Sequence, residues 1–236
     1  QKCFESDAWV SINCRHDSVK SWLDRFMPNA KIETASHQSI ARAASLLAEG
    51  QLVGVPTETV YGLAANATAP AAVRKIFAAK NRPPNNPLIL HVASSQAALA
   101  WTDFDDSPEL KARWQIALQF WPGPLTVVVP KAASVIDEIT SGADTVAIRI
   151  PSHPVMRSLL AECDFPLAAP SANPSNYVSP TNAEHVASML GDRVAMVLDG
   201  GPCEFGLESS IIRLTETGVD LLRPGGISAE QLEQAF

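Results

Sequence analysis

The sequence lacks any apolar run close to the roughly 20 residues that a membrane-spanning helix needs. It also lacks the apolar core of a signal peptide at its N-terminus, so we expect a soluble, cytoplasmic protein with no membrane partner. The formal net charge of -7 argues against a protein that coats nucleic acid without sequence preference, because such binding needs a basic face. A local basic patch remains compatible with that charge.

Cysteine is also scarce, and the four cysteines are Cys3, Cys14, Cys163 and Cys203. They form no CxxC pair and no zinc-ligand spacing, so we interpret them as buried or incidental thiols of a reducing compartment. A disulfide between Cys3 and Cys14 is the less favoured alternative. His91, His153 and His185 show no ligand spacing either, so we expect no structural metal.

Several common catalytic signatures are missing from the chain. It has no GxxxxGKS/T P-loop, no GxGxxG after a strand, no GxSxG elbow and no HExxH. The chemistry must therefore be sought in less familiar groups of polar residues.

The order of apolar segments predicts an α/β fold built on a mixed sheet. Strands are predicted at 52–56, 88–92, 125–129, 145–150, 166–170, 194–199, 209–214 and 219–223. The short polar turn between the last two predicts a hairpin, so at least one strand pair is antiparallel.

Capping signals predict where the helices begin. Ser39 is expected to cap a helix that ends near Gly50, and Pro70 opens a helix that runs to residue 80. Further helices are predicted from Ser107 to the breaker at 121–124, over 154–162, from a Thr181–Glu184 capping box to residue 190, and after a Ser228–Gln231 capping box.

The chain divides into two parts at residue 39. Residues 1–38 are interpreted as an N-terminal extension of unknown role, with an amphipathic helix over 17–26, and residues 39–236 as the catalytic domain. Gln1 at the first position is typical of a fragment or a processed form.

Polar clusters follow or precede four of the predicted strands, at 56–63, 80–91, 170–181 and 208–210 with 223–226. Residues 59–102 contain no Asp or Glu, which leaves the cations Arg74, Lys75, Lys80 and Arg82 locally unopposed, as an anion site requires. The alternative is a basic helix face that is solvated or paired with acids from elsewhere.

The other clusters also suit an anion. The loop 170–181 carries three prolines with hydroxyl and amide side chains and ends at a predicted helix N-terminus, although it could be a turn-rich connection. Ser209 and Ser210, with Glu208, are expected to face Arg223 across the hairpin. Arg149 lies in an apolar strand and, if buried, needs a carboxylate or a phosphate as its partner.

Seven motifs in this order, PTETVYGL, KNRP with NPLILH, WPGPLT, DTVAIRIPSHP, APSANPS with SPT, LDGG with GLESSII, and LLRPG, resemble the YrdC/Sua5 family of threonylcarbamoyl-AMP synthases. The resemblance covers roughly residues 39–236. It implies a twisted mixed sheet flanked by helices, with a concave nucleotide pocket. The second C-terminal domain of the longer family members is not expected in this chain.

The resemblance implies a nucleotidyltransferase, an L-threonylcarbamoyladenylate synthase. Such an enzyme makes threonylcarbamoyl-AMP and pyrophosphate from L-threonine, bicarbonate or CO2, and ATP with Mg²⁺. A partner transferase then modifies adenosine 37 of tRNA to t6A, and a weak tRNA contact is left open. We name no general base.

The resemblance also implies roles for individual residues. Threonine would contact Thr59, His91, Arg149, Ala169 and Ser209. ATP would contact Arg82, Asn86, Thr145, Ser171, Asn173, Ser179 and Arg223. Lys80, Arg82 and Arg149 would be catalytic, Tyr61 would line the pocket, and no residue is assigned to a metal.

Two alternatives remain open at this stage. One is a related domain that forms a carbamoyl-adenylate from carbamoyl phosphate. The other is a noncatalytic RNA-binding module, suggested by the basic segment 74–82 and opposed by the net charge and by the lack of stacking aromatics there.

Overall fold

The structure, a computed structural model, describes residues 30–104 and 107–236. The strands are β1 (Ile32–Thr34), β2 (Val53–Val55), β3 (Gly62–Asn66), β4 (Ile89–His91), β5 (Leu125–Pro130), β6 (Thr145–Arg149), β7 (Leu167–Ala168), β8 (Met196–Asp199), β9 (Ser210–Leu214) and β10 (Val219–Arg223). The helices are α1 (His37–Ala48), α2 (Pro70–Lys80), α3 (Ser95–Leu99), α4 (Pro108–Ala117), α5 (Asp137–Thr140), α6 (Pro154–Glu162), α7 (Ala183–Leu190) and α8 (Ala229–Ala235). The predicted helix over 17–26 and both Cys3 and Cys14 lie outside the described residues.

The strands form one mixed sheet in the order β1-β8-β2-β3-β7-β4-β6-β5-β9-β10. Parallel pairs join β1 with β8, β8 with β2, β4 with β6, and β5 with β9, and the other neighbours are antiparallel. The α/β fold with a mixed sheet is therefore confirmed, including the β9–β10 hairpin. Each of the eight predicted strands is present.

Two strands were not predicted, β1 and β3. The β3 sequence GLAAN has no β-branched residue, and its extended state depends on its two antiparallel neighbours, β2 and β7. Strand β1 is only three residues long, and it adds residues 32–34 to the sheet ahead of the predicted domain start at residue 39. The division into an extension and a catalytic domain stays a prediction.

Both faces of the sheet are covered by helices. Successive residues of β3 point to opposite faces, so that Leu63 and Ala65 join one buried cluster and Ala64 joins the other. Helices α2, α4 and α7 contribute to the first cluster, and α1 and α6 pack together over the second. Across the two described ranges, no helix combines the length and apolarity needed to cross a membrane.

Two of the predicted helix caps are wrong by one to three residues. Ser36 caps α1, because Ser39 sits in the first turn and its hydroxyl accepts from the Ser36 backbone N–H in a reciprocal capping box. Asn182 caps α7 in place of Thr181, by accepting from the backbone N–H of residue 185. The capping box that opens α8 at Ser228 is confirmed.

Gly225 should be essential for the geometry of the β9–β10 end of the sheet. A Cβ there would lie 2.5 Å from the backbone C of Ser209 and from the backbone N of Ser210. Because backbone atoms cannot rotate away, Gly225→Ala should lower the free energy of unfolding by about 1–3 kcal/mol in urea denaturation.

Gly218→Ala is the matched control, since nothing lies within 4 Å of a Cβ at that turn position. It should change the free energy of unfolding by less than about 0.5 kcal/mol. An unchanged urea midpoint for the residue-225 variant would contradict the crowding described above.

Candidate functional site

A cavity of about 270 Å³ opens where several strands end on the same edge of the sheet. His91 and Arg149 are the last residues of the parallel strands β4 and β6, so their side chains emerge next to each other. Ser209 directly precedes β9 and Arg223 ends the antiparallel β10, which brings both to the same edge. Predicted site residues that line the cavity are Thr59, Arg82, Asn86, His91, Arg149, Ala169, Ser171, Ser209 and Arg223.

The inner group of the cavity consists of Thr59, His91 and Arg149, which are all buried. Arg149 is only 3% exposed, and each of its three nitrogens is held by an acceptor. Its Nη2 donates to Glu58 Oε1 at 2.7 Å, its Nη1 to Thr59 Oγ1 at 2.9 Å, and its Nε to the Gly123 carbonyl at 3.2 Å. A carboxylate therefore already partners this arginine, as its burial in an apolar strand required.

The hydroxyl of Thr59 can offer only a lone pair to the cavity. Thr57 Oγ1 donates its single hydrogen to the Val60 carbonyl at 2.6 Å. In the 2.9 Å contact between Thr57 Oγ1 and Thr59 Oγ1, the hydrogen must therefore come from Thr59. Since Thr59 also accepts from Arg149, what remains on its oxygen is acceptor capacity.

His91 is a neutral acceptor at this end of the cavity. Burial and, to a lesser extent, the neighbouring Arg149 lower the pKa of His91 to about 3. Its Nδ1 lies 3.2 Å from the Ile89 carbonyl, and a neutral ring that donates there leaves a lone pair on Nε2. His91 is thus present as the neutral imidazole near neutral pH.

The outer group of the cavity consists of Arg82, Glu208 and Arg223, which are partly exposed. Arg223 donates from Nε and Nη2 to the Ser209 carbonyl, at 3.0 and 2.8 Å, and its Nη2 lies 3.6 Å from Glu208 Oε2. Glu208 Oε1 accepts from the Ser179 hydroxyl at 2.8 Å. The predicted convergence of residues 208–209 with Arg223 across the hairpin is therefore present.

Arg82 faces the same end from the other side of the cavity. Its Nε and Nη2 donate to the carbonyls of Asn86 and Pro87, at 3.2 and 2.9 Å. Burial lowers the pKa of Arg82, the carboxylate of Glu208 opposes that shift, and repulsion by Arg223 adds to it. Two guanidinium groups that repel each other beside a single carboxylate favour the binding of a polyanion.

Ser209 joins the two groups. Its hydroxyl accepts from Arg223 Nη2 at 3.0 Å and lies 2.8 Å from Thr126 Oγ1, and both Ser209 and Thr126 are fully buried. Thr126 has no place in the predicted site, because a single threonine in an apolar strand gives no signal in the sequence.

Lys80, predicted to be catalytic, and Asn173, predicted to contact ATP, do not line the cavity. The Lys80 amine is buried and donates to the carbonyls of Ser171 and Asn173, and burial, with repulsion from Arg82, lowers its pKa to about 8. The Asn173 amide donates to the carbonyls of Pro174 and Tyr177 within its own loop. In this geometry Lys80 fastens the loop 170–181 to the end of α2, Asn173 stabilises that loop from within, and the predicted roles of both residues toward ATP stay predictions.

Other predicted residues lie beside the cavity or away from it. Thr145 begins β6 on the same face as Ala147, which lines the cavity, and Arg149. Tyr61 does not line the cavity: it is fully buried and donates to the Gly201 carbonyl at 2.7 Å. Burial raises the pKa of its hydroxyl.

The basic helix face on α2 is not a cluster of free cations. Arg74 pairs with Glu138 at 2.6 Å, and Lys75 donates to the Gly50 carbonyl at 2.6 Å. These two side chains point away from the cavity, so among Arg74, Lys75, Lys80 and Arg82 only Arg82 reaches it. The absence of acids from residues 59–102 therefore led to an overestimate of the local positive charge. Arg74 is paired with Glu138, which comes from a distant part of the chain.

Two acids of the predicted polar clusters were not assigned a role at the site. Glu58 is buried in the PTETVYGL motif and Glu208 lies in the ESS motif. A signal for Glu58 was present, since it is the last acid before the acid-free segment. Within residues 30–104 and 107–236, no group of three or more His, Cys, Asp or Glu side chains is arranged to hold a metal ion.

Comparison with known proteins finds clear relatives. A family model named Sua5_yciO_yrdC and described as "Telomere recombination" matches residues 45–225. A threonylcarbamoyl-AMP synthase of Pyrococcus abyssi is 45% identical over 205 residues, which are 86% of this chain and 59% of that protein. One of Bacillus subtilis is 48% identical over 195 residues, which are 82% of this chain and 55% of that protein.

A solved structure agrees with these matches. The crystal structure of P. abyssi Sua5 complexed with L-threonine is similar with a TM-score of 0.81 and 44% identity, over 87% of this chain and 59% of that one. This chain therefore spans little more than half the length of these relatives from P. abyssi and B. subtilis.

Burial of neutral His91 should make the protein sensitive to acid. Its folded pKa of about 3 lies below the ordinary 6.5, so between these values the unfolded chain binds more protons and falling pH removes stability. The slope from this one residue should approach about 1.4 kcal/mol per pH unit. His91→Gln should flatten that part of the profile in urea denaturation measured between pH 7 and 4.

The control is His37→Gln, at an exposed position at the start of α1. It should leave the pH profile as in the unmodified protein. If the residue-91 variant keeps the full acid slope, the stability at low pH depends on other groups.

Proposed function

The chain belongs to the Sua5/YciO/YrdC family, and we propose on that basis that it joins L-threonine, bicarbonate or CO2, and ATP into threonylcarbamoyl-AMP, releasing pyrophosphate. The observation that carries this proposal is a single cavity with two chemically different groups. The inner group offers an arginine fork with neutral acceptors, and the outer group offers two guanidinium groups beside one carboxylate. An amino acid and a nucleotide could therefore bind end to end.

The inner group suits the amino acid. Two of the five Arg149 N–H groups have no acceptor among the described residues, which is the number that a carboxylate takes in a paired contact. Thr59 and His91 supply acceptors for an ammonium or hydroxyl group, while Ala169 and Ser209 complete the lining. The relative from P. abyssi was crystallised with L-threonine, which supports the same assignment here.

The outer group suits the triphosphate of ATP. Arg82 and Arg223 would bind phosphate oxygens, and Asn86 and Ser171 lie in the same lining. Thr145, Asn173 and Ser179 would contribute from beside the cavity. The exposure of Asn86 and Leu222 places this group at the open mouth, where a nucleotide can enter.

The proposed reaction requires the site to hold two anions, the carbamate of threonine and the triphosphate of ATP, close to each other. The threonine amine, in its neutral form, takes up CO2 to give a carbamate and releases a proton to solvent, and a carbamate oxygen then attacks the α-phosphorus of ATP as pyrophosphate leaves. Arg149 would hold the amino-acid carboxylate, and Arg82 and Arg223 would stabilise charge on the phosphates, so that positioning and electrostatic preorganisation supply the catalysis. Lys80 would act by fixing the loop that bears Ser171.

The donor set of the cavity fits a Mg²⁺ ion that arrives with ATP. Glu208 is the one carboxylate among the lining residues, and Mg²⁺ in nucleotide sites is usually held by one or two carboxylates together with phosphates. Bound there, Mg²⁺ would neutralise phosphate charge. Glu208 would be its protein ligand.

The product would be passed to a separate transferase that acts on tRNA, as the family resemblance implies. The formal net charge of -7 gives no support for strong tRNA binding by this chain itself. A weak tRNA contact belongs to the same proposal.

The proposal is tested by incubating the protein with ATP, Mg²⁺, bicarbonate and radiolabelled L-threonine, followed by chromatography for the adenylate. We expect one pyrophosphate for each adenylate, and neither product without threonine or bicarbonate. An adenylate formed only from carbamoyl phosphate would support the related carbamoyl-transferring activity instead. Salt-sensitive tRNA binding without adenylate formation would support the RNA-binding module.

Removal of Arg223 should weaken ATP binding in particular. Arg223→Met keeps the length of the side chain but removes a guanidinium that would bind phosphate, so we expect the KM for ATP to rise about tenfold or more. Pyrophosphate release at varied ATP and saturating threonine measures this change.

Arg213→Met is the matched control, because Arg213 lies on the neighbouring strand β9 and pairs with Asp220 at the surface. Its KM for ATP should stay within about twofold. Equal KM values for both variants would remove Arg223 from the ATP site.

A further inference from the structure

Glu58 is a buried acid at the site to which neither the family resemblance nor the proposed chemistry assigns a role. Its side chain is 3% exposed, Arg149 binds its Oε1, and its Oε2 is buried and accepts no hydrogen bond among the described residues. Glu58 does not itself line the cavity. Any effect it has on a ligand must therefore act through Arg149 and through its charge.

The inner end of the cavity carries no net charge in the free protein. Glu58 and Arg149 compensate each other, and Arg149 lowers the pKa of Glu58, although burial opposes this. His91 is neutral there because of its burial. Two other titratable neighbours of Glu58, His153 and Cys203, are also uncharged near neutral pH, since burial lowers the pKa of His153 and raises that of Cys203 to about 11.

A site without net charge treats a zwitterion and an anion differently. A carboxylate that binds Arg149 is also repelled by the nearby carboxylate of Glu58, and the repulsion is strong because both lie in a poorly solvated region. An ammonium group on the same ligand is attracted by Glu58 and offsets that repulsion. The acceptors on Thr59 and His91 supply hydrogen-bond partners for such a donor.

We propose that Glu58 makes the inner end of the cavity select zwitterionic amino acids over carboxylates that lack an ammonium group, by compensating the charge of Arg149. This inference rests on the proposed function, because it takes the inner end to be the amino-acid site. Glu58 is then a positioning residue that fixes the arginine fork and sets the electrostatic preference. It is not a catalytic residue, since it touches no substrate.

The test compares two ligands that differ in one group, L-threonine and its amine-free analogue 2,3-dihydroxybutanoate of matching stereochemistry. Their Kd values are measured by titration calorimetry, without ATP or bicarbonate. The unmodified protein should bind threonine at least about tenfold more tightly than the analogue, because the buried carboxylate of Glu58 attracts the ammonium group. In Glu58→Gln that preference should shrink by about tenfold, because the inner end then has a net positive charge.

Two variants separate charge from structure. Glu58→Asp keeps the negative charge and should keep the preference within about threefold. Glu138→Gln removes the surface partner of Arg74 and should leave the preference unchanged. Loss of the preference in Glu58→Asp as well as in Glu58→Gln would overturn the proposal in favour of a purely steric role.

The unmodified protein tests the inference even if Glu58→Gln fails to fold. Equal affinity for threonine and its amine-free analogue would overturn the selectivity, while leaving the proposed reaction intact. No detectable threonine binding would instead overturn the proposed function. A preference for threonine that persists in folded Glu58→Gln would assign the selection to Thr59 and His91 alone.

Discussion

The buried ion pair between Glu58 and Arg149 is the contact on which the site depends. Arg149 lies at the end of β6, and through it the strand is joined to the segment after β2 and to the turn at Gly123. Removing either partner would leave a lone buried charge, which typically costs about 3–5 kcal/mol. Since a buried pair gains little net stability from its own attraction, its main consequence here is geometric: the guanidinium is held in one orientation.

Because of the same contact, a substitution of Arg149 would affect the folding of the protein as well as the site. A change to alanine would expose the Glu58 carboxylate to an apolar interior, so that loss of activity and loss of folding would occur together. The inner end of the cavity is thus part of the hydrophobic core as well as part of the site. This double role accounts for the burial of Thr59, His91 and Arg149, which is unusual for polar side chains.

The outer end follows a different principle. Its cations are partly exposed and are held mainly by backbone carbonyls: Arg82 by residues 86 and 87, Arg223 by residue 209. The loop 170–181 is fastened from inside by the buried amine of Lys80 and by the amide of Asn173. Rigid backbone therefore positions the outer group of the cavity, while side-chain pairing positions the inner group.

The α/β fold, the eight patterned strands and the polar segments at the strand ends could be predicted from the sequence, because they follow from local periodicity and turn chemistry. The sequence did not reveal β3, whose small residues become a strand only between two neighbours. It also left open which acid pairs with Arg149, that Arg74 binds Glu138, and that Lys80 faces inward. These points depend on the tertiary structure, because the bonds of Arg149 and Lys80 join residues 91 and 93 positions apart, and no local pattern encodes the strand order that brings them together.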